Sequence, residues 1–348
     1  MPAAYEQNLW ILQNLLLRNR DLHHRLLSSH PKFYGRGNYQ EELEKEFSGP
    51  DVFAKQFFGE HFSSEDVQSY KADIVIDSRT DLEIGGTKFE LIPVRGGETH
   101  DAMLIYLPEE KVMFMGDVIM PYLGAPFAEE GDLQGLLDAI DVIVSRNPQH
   151  LLHGHEPLTR QFSSPLVLSH LKTDLAWLRD QVITAIRRGD DRAAIHEANL
   201  IPPDLLANQP DAYEPYYILR EHVIDRLYDQ HVGYWEANLQ GLSHPSRADR
   251  ADLLVEYLGL SESQIVKAAD RLAADGKYAI AAELIETVEP KFPNSEALKR
   301  AKRFAYLKLM EKNQNTDPFK FIIYSAKAGE QTPQINPEDV KQMRGAAR

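Results

Sequence analysis

The sequence predicts an α+β chain in which a partial αββα sandwich over 71–162 is followed by an all-α region over 163–328. Three observations carry that expectation. Short apolar runs separated by turn residues crowd into 72–152, a single amphipathic helix interrupts them, and after Phe162 the apolar residues recur at helical spacing.

Taken in order, 1–70 reads as an N-terminal helical and loop segment. Leu9, Leu12, Leu15, Leu16 and Leu26 lie among polar residues, as in one or two amphipathic helices, and Gly35-Arg36-Gly37-Asn38 breaks them. Residues 41–69 read as loop with short helical turns. Five strands in mostly antiparallel order follow: Ile74-Val75-Ile76, Leu82-Glu83-Ile84 ahead of Gly85-Gly86, Phe89 through Val94, Met103 through Leu107, and Val112 through Met115. Pro108-Glu109-Glu110-Lys111 joins the last two tightly. A helix over 132–144 puts Leu133, Leu136, Leu137, Ile140 and Ile143 on one side, and Leu151-Leu152 returns as a strand.

Beyond Phe162, Leu168, Leu171, Leu175, Leu178, Val182 and Ile186 give one long helix with a continuous buried stripe, stopped by Gly189. Another helix starts near Pro215, with Tyr216, Leu219, Val223 and Leu227 on one face. Helices over 249–258, 261–275, 278–288 and 294–310 complete the region, and 329–348 is a flexible polar tail. Ala268, Ala269, Ala281 and Ala282 permit close helix approach, and with Gly276 and Pro293-Asn294 they resemble about one tetratricopeptide-type unit. A single such unit has to pack on a neighbour or on another chain.

Composition narrows the function. At 348 residues and 43% apolar content the chain has material for about two domains. With no cysteine, disulfides, thiolate nucleophiles and cysteine zinc sites are excluded, so any metal must be held by His, Asp and Glu. A net charge of −15 argues against nucleic-acid and anionic-membrane partners, both of which select basic patches. Without a long apolar span or a secretory leader, the expected location is cytoplasmic, a signal on a lost N-terminus aside. An anionic small substrate would need a local cationic site, from metal or Arg.

The chemistry-bearing residues cluster where strands end. Gly97-Glu98-Thr99-His100-Asp101-Ala102 precedes one strand, Gly116-Asp117 follows the next, and Leu152-His153-Gly154-His155 closes the last. Carboxylates and imidazoles then project from one rim of a sheet, where an ion is gathered. Asp117 has the sharpest context, because a carboxylate ending Val112-Met113-Phe114-Met115-Gly116 has to be paired or bound. By chemistry alone, His100 competes with Glu98 for one role.

This order and spacing resemble the metallo-β-lactamase superfamily, and Glu98, where most relatives carry His, is similar to the alkylsulfatase branch. Further resemblance to the alkylsulfatase dimerisation domain is carried by the run from Gly189 to Glu197, Ile201-Pro202-Pro203, the run from Leu227 to Trp235, and Gly276-Lys277-Tyr278 with Ala281-Ala282-Glu283-Leu284. The likeness spans roughly 72–329. It implies a metal-dependent hydrolase of sulfate esters with a two-zinc site, in which Glu98, Asp117 and His155 are ligands, Asp117 is also the catalytic carboxylate, and His100 is the competing ligand. It also implies a homodimer formed through the helical domain.

One departure accompanies the match. The superfamily's upstream His-x-His-x-Asp-His cluster has no counterpart in 1–99, where His23-His24, His30 and His61 have other spacings. Half the implied ligand set is therefore missing from this chain. The expectation divides between a shortened hydrolase and a non-catalytic homodimeric interaction protein, with a lactonase or phosphodiesterase as a third reading.

Overall fold

A computed structural model describes residues 34–39, 41, 72–120, 132–154, 159–233, 243–314 and 318–330. The amphipathic helices expected within 1–30, most of the 41–69 loop and the end of the tail lie outside the described residues. Those before Asn238 form one compact unit and those after it a second.

In the first unit a two-stranded parallel pair joins β1 (Tyr34–Gly35) to β2 (Ile74–Val75). The break expected at Gly35 is thus a short strand, whose partner lies too far along the chain for local pattern to reveal. The main sheet has the order β3 (Thr80–Ile84), β4 (Thr87–Pro93), β5 (Met103–Leu107), β6 (Val112–Gly116), β7 (His150–His153). Its first four strands are antiparallel and β7 runs parallel to β6. Gly85 and Gly86, at φ 60° and 84°, make the two-residue β3–β4 turn, a conformation that disfavours any side chain.

Helix α1 (Leu133–Arg146) crosses from β6 to β7 and buries Leu133, Leu136, Leu137, Ile140 and Ile143, the stripe its sequence predicts. Asp132 caps it, its side chain accepting from Gly135 N. Helix α2 (Pro165–Arg188) starts at a Ser164 cap and stops at Gly189, φ 91°. Short helices α3 (Arg192–Glu197) and α4 (Leu205–Asn208), which carry no periodic signal, lead into α5 (Tyr213–Val232). Leu104, Met113 and Met115 of the sheet share one core with Ile140 of α1, Leu171 and Leu175 of α2, and Leu219 and Val223 of α5. Helices α2 to α5 contribute to the same core as the strands. Periodicity identifies a buried face and leaves its partner open.

The second unit is helical. Helix α6 (Arg247–Asp252) runs into a π-helical turn (Leu253–Tyr257), followed by α7 (Glu262–Ala274), α8 (Tyr278–Val288), α9 (Glu296–Asn313) and α10 (Pro318–Lys327). Ile265, Ala269, Ala281, Ala282, Ile285, Leu298 and Tyr306 form its core. The tetratricopeptide-type likeness remains one of sequence. Glu286 organises this unit: its Oε1 accepts from Tyr306 Oη at 2.6 Å and Lys327 Nζ at 3.0 Å, and Arg247 lies 3.8 Å from Oε2. Although burial opposes its charge, the bonds from Tyr306 and Lys327 hold its carboxyl below the usual range. Glu286→Ala is expected to cost about 2 kcal/mol, since two charge-assisted bonds are lost and the Tyr306 hydroxyl, though it still accepts from Lys327, loses the acceptor for its proton. Urea unfolding of the variant checks this.

Candidate functional site

Strand β6 delivers Asp117 to the rim. Its register with β7 is shifted between Phe114 and Gly116, and Gly116 adopts φ 52°, so the chain bends out of the sheet immediately before the carboxylate. Gly154 N donates to Gly116 O at 2.9 Å, which ties the end of β7 to this bend. A Cβ on Gly154 would stand 2.2 Å from Asp117 Oδ1, so glycine there makes room for the carboxylate.

The neighbouring loop, 95–101, connects β4 to β5 and carries Glu98 and His100. Val94 N bonds Ala102 O at 3.0 Å across its neck, Gly96 N bonds Thr99 O at 3.0 Å, and Gly97 N bonds Val118 O at 3.1 Å. The last bond puts Glu98 and Asp117 each one residue from a bonded pair. Glu98 is buried, at 8% exposure. His100 instead faces the start of α1: its Nε2 lies 3.5 Å from Asp132 Oδ2, which also pairs with Arg95. Its competition with Glu98 therefore ends in a separate place, against the helix cap.

Loop and helix touch at Gly135 as well. A Cβ there would lie 2.8 Å from Arg95 O and 2.9 Å from Arg95 Cβ. Alanine usually favours a helix over glycine by up to about 1 kcal/mol. Here the clash is with backbone, so Gly135→Ala is expected to destabilise by about 1–2 kcal/mol and to displace the loop. Denaturant unfolding distinguishes the two signs.

At the end of β7, His153 is held neutral. Burial pushes its imidazole down to about 4, against smaller opposing effects of the Phe162 backbone and the Asp117 charge. Neither ring nitrogen makes a hydrogen bond of sound geometry. Thr159, fully buried, has an unbonded hydroxyl, and its carbonyl accepts from Phe162 N at 3.0 Å. His153 and Thr159 thus converge on the Phe162 turn. His155, the imidazole ligand implied by the resemblance, lies outside the described residues.

Among the described residues, no three His, Asp or Glu side chains come together as a metal-holding group. Glu98 and Asp117 supply two carboxylates to this rim, and His100 is turned to Asp132.

Sequence reading missed two contributors. Arg36, read as part of a break, bonds the neck of the Glu98 loop, and Asp132, read only as a helix start, receives His100 and Arg95. Asp132 was accessible from its capping position. Arg36 has no local signal, because its partners lie 58 and 66 residues away.

Comparison with known proteins gives a consistent grouping. Residues 192–331 match the family described as alkyl sulfatase dimerisation. Over 188 residues the chain is 24% identical to the alkyl/aryl-sulfatase BDS1 of Saccharomyces cerevisiae, covering 52% of this chain and 28% of that protein. Over 217 residues it is 25% identical to a linear primary-alkylsulfatase of a Pseudomonas species, covering 59% and 39%. The stereoselective inverting sec-alkylsulfatase Pisa1 from Pseudomonas sp. shares the fold, with a TM-score of 0.64 at 16% identity over 86% of this chain and 52% of that one. The chain thus spans about half of Pisa1 and less of the two curated relatives.

Proposed function

We propose that this chain, alkylsulfatase-like over 192–331 and in the fold it shares with Pisa1, belongs to a sulfate-ester hydrolase of the metallo-β-lactamase type, cleaving a small anionic ester with water to an alcohol and sulfate. The observation that carries the proposal is the match of 192–331 to the alkyl sulfatase dimerisation family, together with the fold shared with Pisa1 over 86% of the chain. Glu98 and Asp117 are the proposed working carboxylates, and His155 is the proposed imidazole ligand. Zinc is the ion this family resemblance implies, and elemental analysis of the purified chain tests for it.

A second reading is a non-catalytic dimer in which the region matching the dimerisation family is the working part. A substrate panel separates the readings. Turnover of alkyl sulfates, with little on phosphate diesters and lactones, supports the hydrolase. No turnover on any of the three favours the dimer, and preference for another ester reassigns the substrate class.

Both readings propose a homodimer through the helical region, in keeping with the dimerisation family matched. Light scattering at micromolar concentration is expected to give twice the chain mass. No helix among the described residues is long and apolar enough to cross a membrane.

A further inference from the structure

We propose that Arg36 is the positioning residue of the Glu98 loop, holding that loop in place beside Asp117 for the sulfate-ester chemistry inferred above, on which this role rests. The loop leaves the sheet after the last β4–β5 pair, Pro93 with Met103. Beyond that pair its neck is closed by one backbone bond, Val94 N to Ala102 O. Arg36 Nη1 reinforces the closure, donating to Val94 O at 3.1 Å and to Ala102 O at 2.9 Å. One nitrogen thereby joins both legs of the loop at the point where strand pairing ends.

Arg36 is itself fixed from behind. Its side chain is 15% exposed, and its Nε lies 3.5 Å from Asp77 Oδ1, which also accepts from Gly37 N at 2.8 Å. A Cβ on Gly37 would approach Asp77 Oδ2 to 2.5 Å, so glycine lets the carboxylate close in. The backbone bond from Ile76 N to Gly35 O, 2.8 Å, fastens the short β1–β2 pair that presents the guanidinium. An arginine stays charged at all working pH values, and a desolvated guanidinium without acceptors is costly. Spending two of its donors on neck carbonyls, rather than on a further carboxylate, makes it a clamp on loop geometry.

Besides the Arg95 and His100 contacts with Asp132, the loop is fastened by Gly97 N to Val118 O, adjoining Glu98 on one side and Asp117 on the other. Opening the neck therefore alters the spacing of the two proposed carboxylates while leaving the core, whose apolar residues Arg36 does not replace, intact. A general structural role would loosen strands and loop together.

The test uses the full chain carrying Arg36→Met, which keeps the stem and removes the donors, and Arg36→Lys, which restores a charged donor. Hydrogen exchange followed by mass spectrometry is expected to speed about tenfold in the 95–101 peptide of the Met variant, while strand β6 keeps its protection. The turnover number on an alkyl sulfate is expected to fall about tenfold with KM little changed, and Lys is expected to restore part of both losses. Unchanged exchange in 95–101, or equal loosening of β6, would overturn the proposal. Should Arg36→Met fail to fold, Asp77→Asn carries the same exchange measurement, with about a threefold acceleration in the loop expected and none overturning it. If the unaltered chain shows no sulfatase turnover, the hydrolase reading fails by itself, and the exchange result still decides whether Arg36 fixes the loop.

Discussion

Asp117→Asn is expected to lower alkyl-sulfate turnover about 100-fold or more while leaving the unfolding midpoint nearly unchanged. The substitution is close to isosteric, so the contact with Gly154 and the bend at Gly116 survive. What disappears is the negative charge at the end of β6, beside the loop that carries Glu98. Removing a group that acts on the reacting atoms usually costs about 10²–10⁴ in rate. Steady-state kinetics beside thermal unfolding separates the two effects. A variant that keeps its turnover removes Asp117 from the working site, and one that loses stability in parallel shows that its role is packing.

Asp174→Asn is expected to stabilise the protein, by up to about 3 kcal/mol above pH 7. Asp174 lies on α2 at 2% exposure, and burial pushes its carboxyl from 3.8 up to about 6, with His170 opposing and Asp204 adding to the rise. With the Gln209 amide nitrogen turned toward it, the carboxylate accepts at 2.8 and 3.1 Å, which favours the ionised form and keeps the gain below that upper bound. A folded-state value above the unfolded one means that ionisation opposes folding. The penalty is absent below about pH 4, grows as pH rises through 6, and is complete above it. Asparagine removes the charge and keeps an acceptor for Gln209. Urea unfolding at pH 4 and pH 8 is expected to show a gain only at the higher pH. An equal gain at both, or none at either, contradicts this assignment.

The parts of the molecule that were legible in the sequence are those whose signal is periodic or local. The Leu168 to Val182 stripe and Gly189 define α2, and the apolar runs define β3 to β7, because hydrophobic spacing and positive-φ glycine act over a few residues. Asp117 was legible as a polar residue closing an apolar strand. Three features were not. The two-residue β1 depends on a partner at 74–75, α3 is too short to show a helical period, and α2 to α5 share the sheet's core through contacts that no spacing encodes. At the site, the spacing Glu98-x-His100 leaves two candidates for one role, and the position of Asp132 turns His100 to the helix cap.

Ion chromatography of sulfate released from dodecyl sulfate, with zinc supplied, puts the hydrolase reading to its hardest trial. The expected result is steady sulfate production proportional to the amount of protein, and at least about 100-fold faster than with Asp117→Asn. Sulfate release by the unaltered chain no faster than by that variant would contradict the hydrolase and leave a dimer without catalysis.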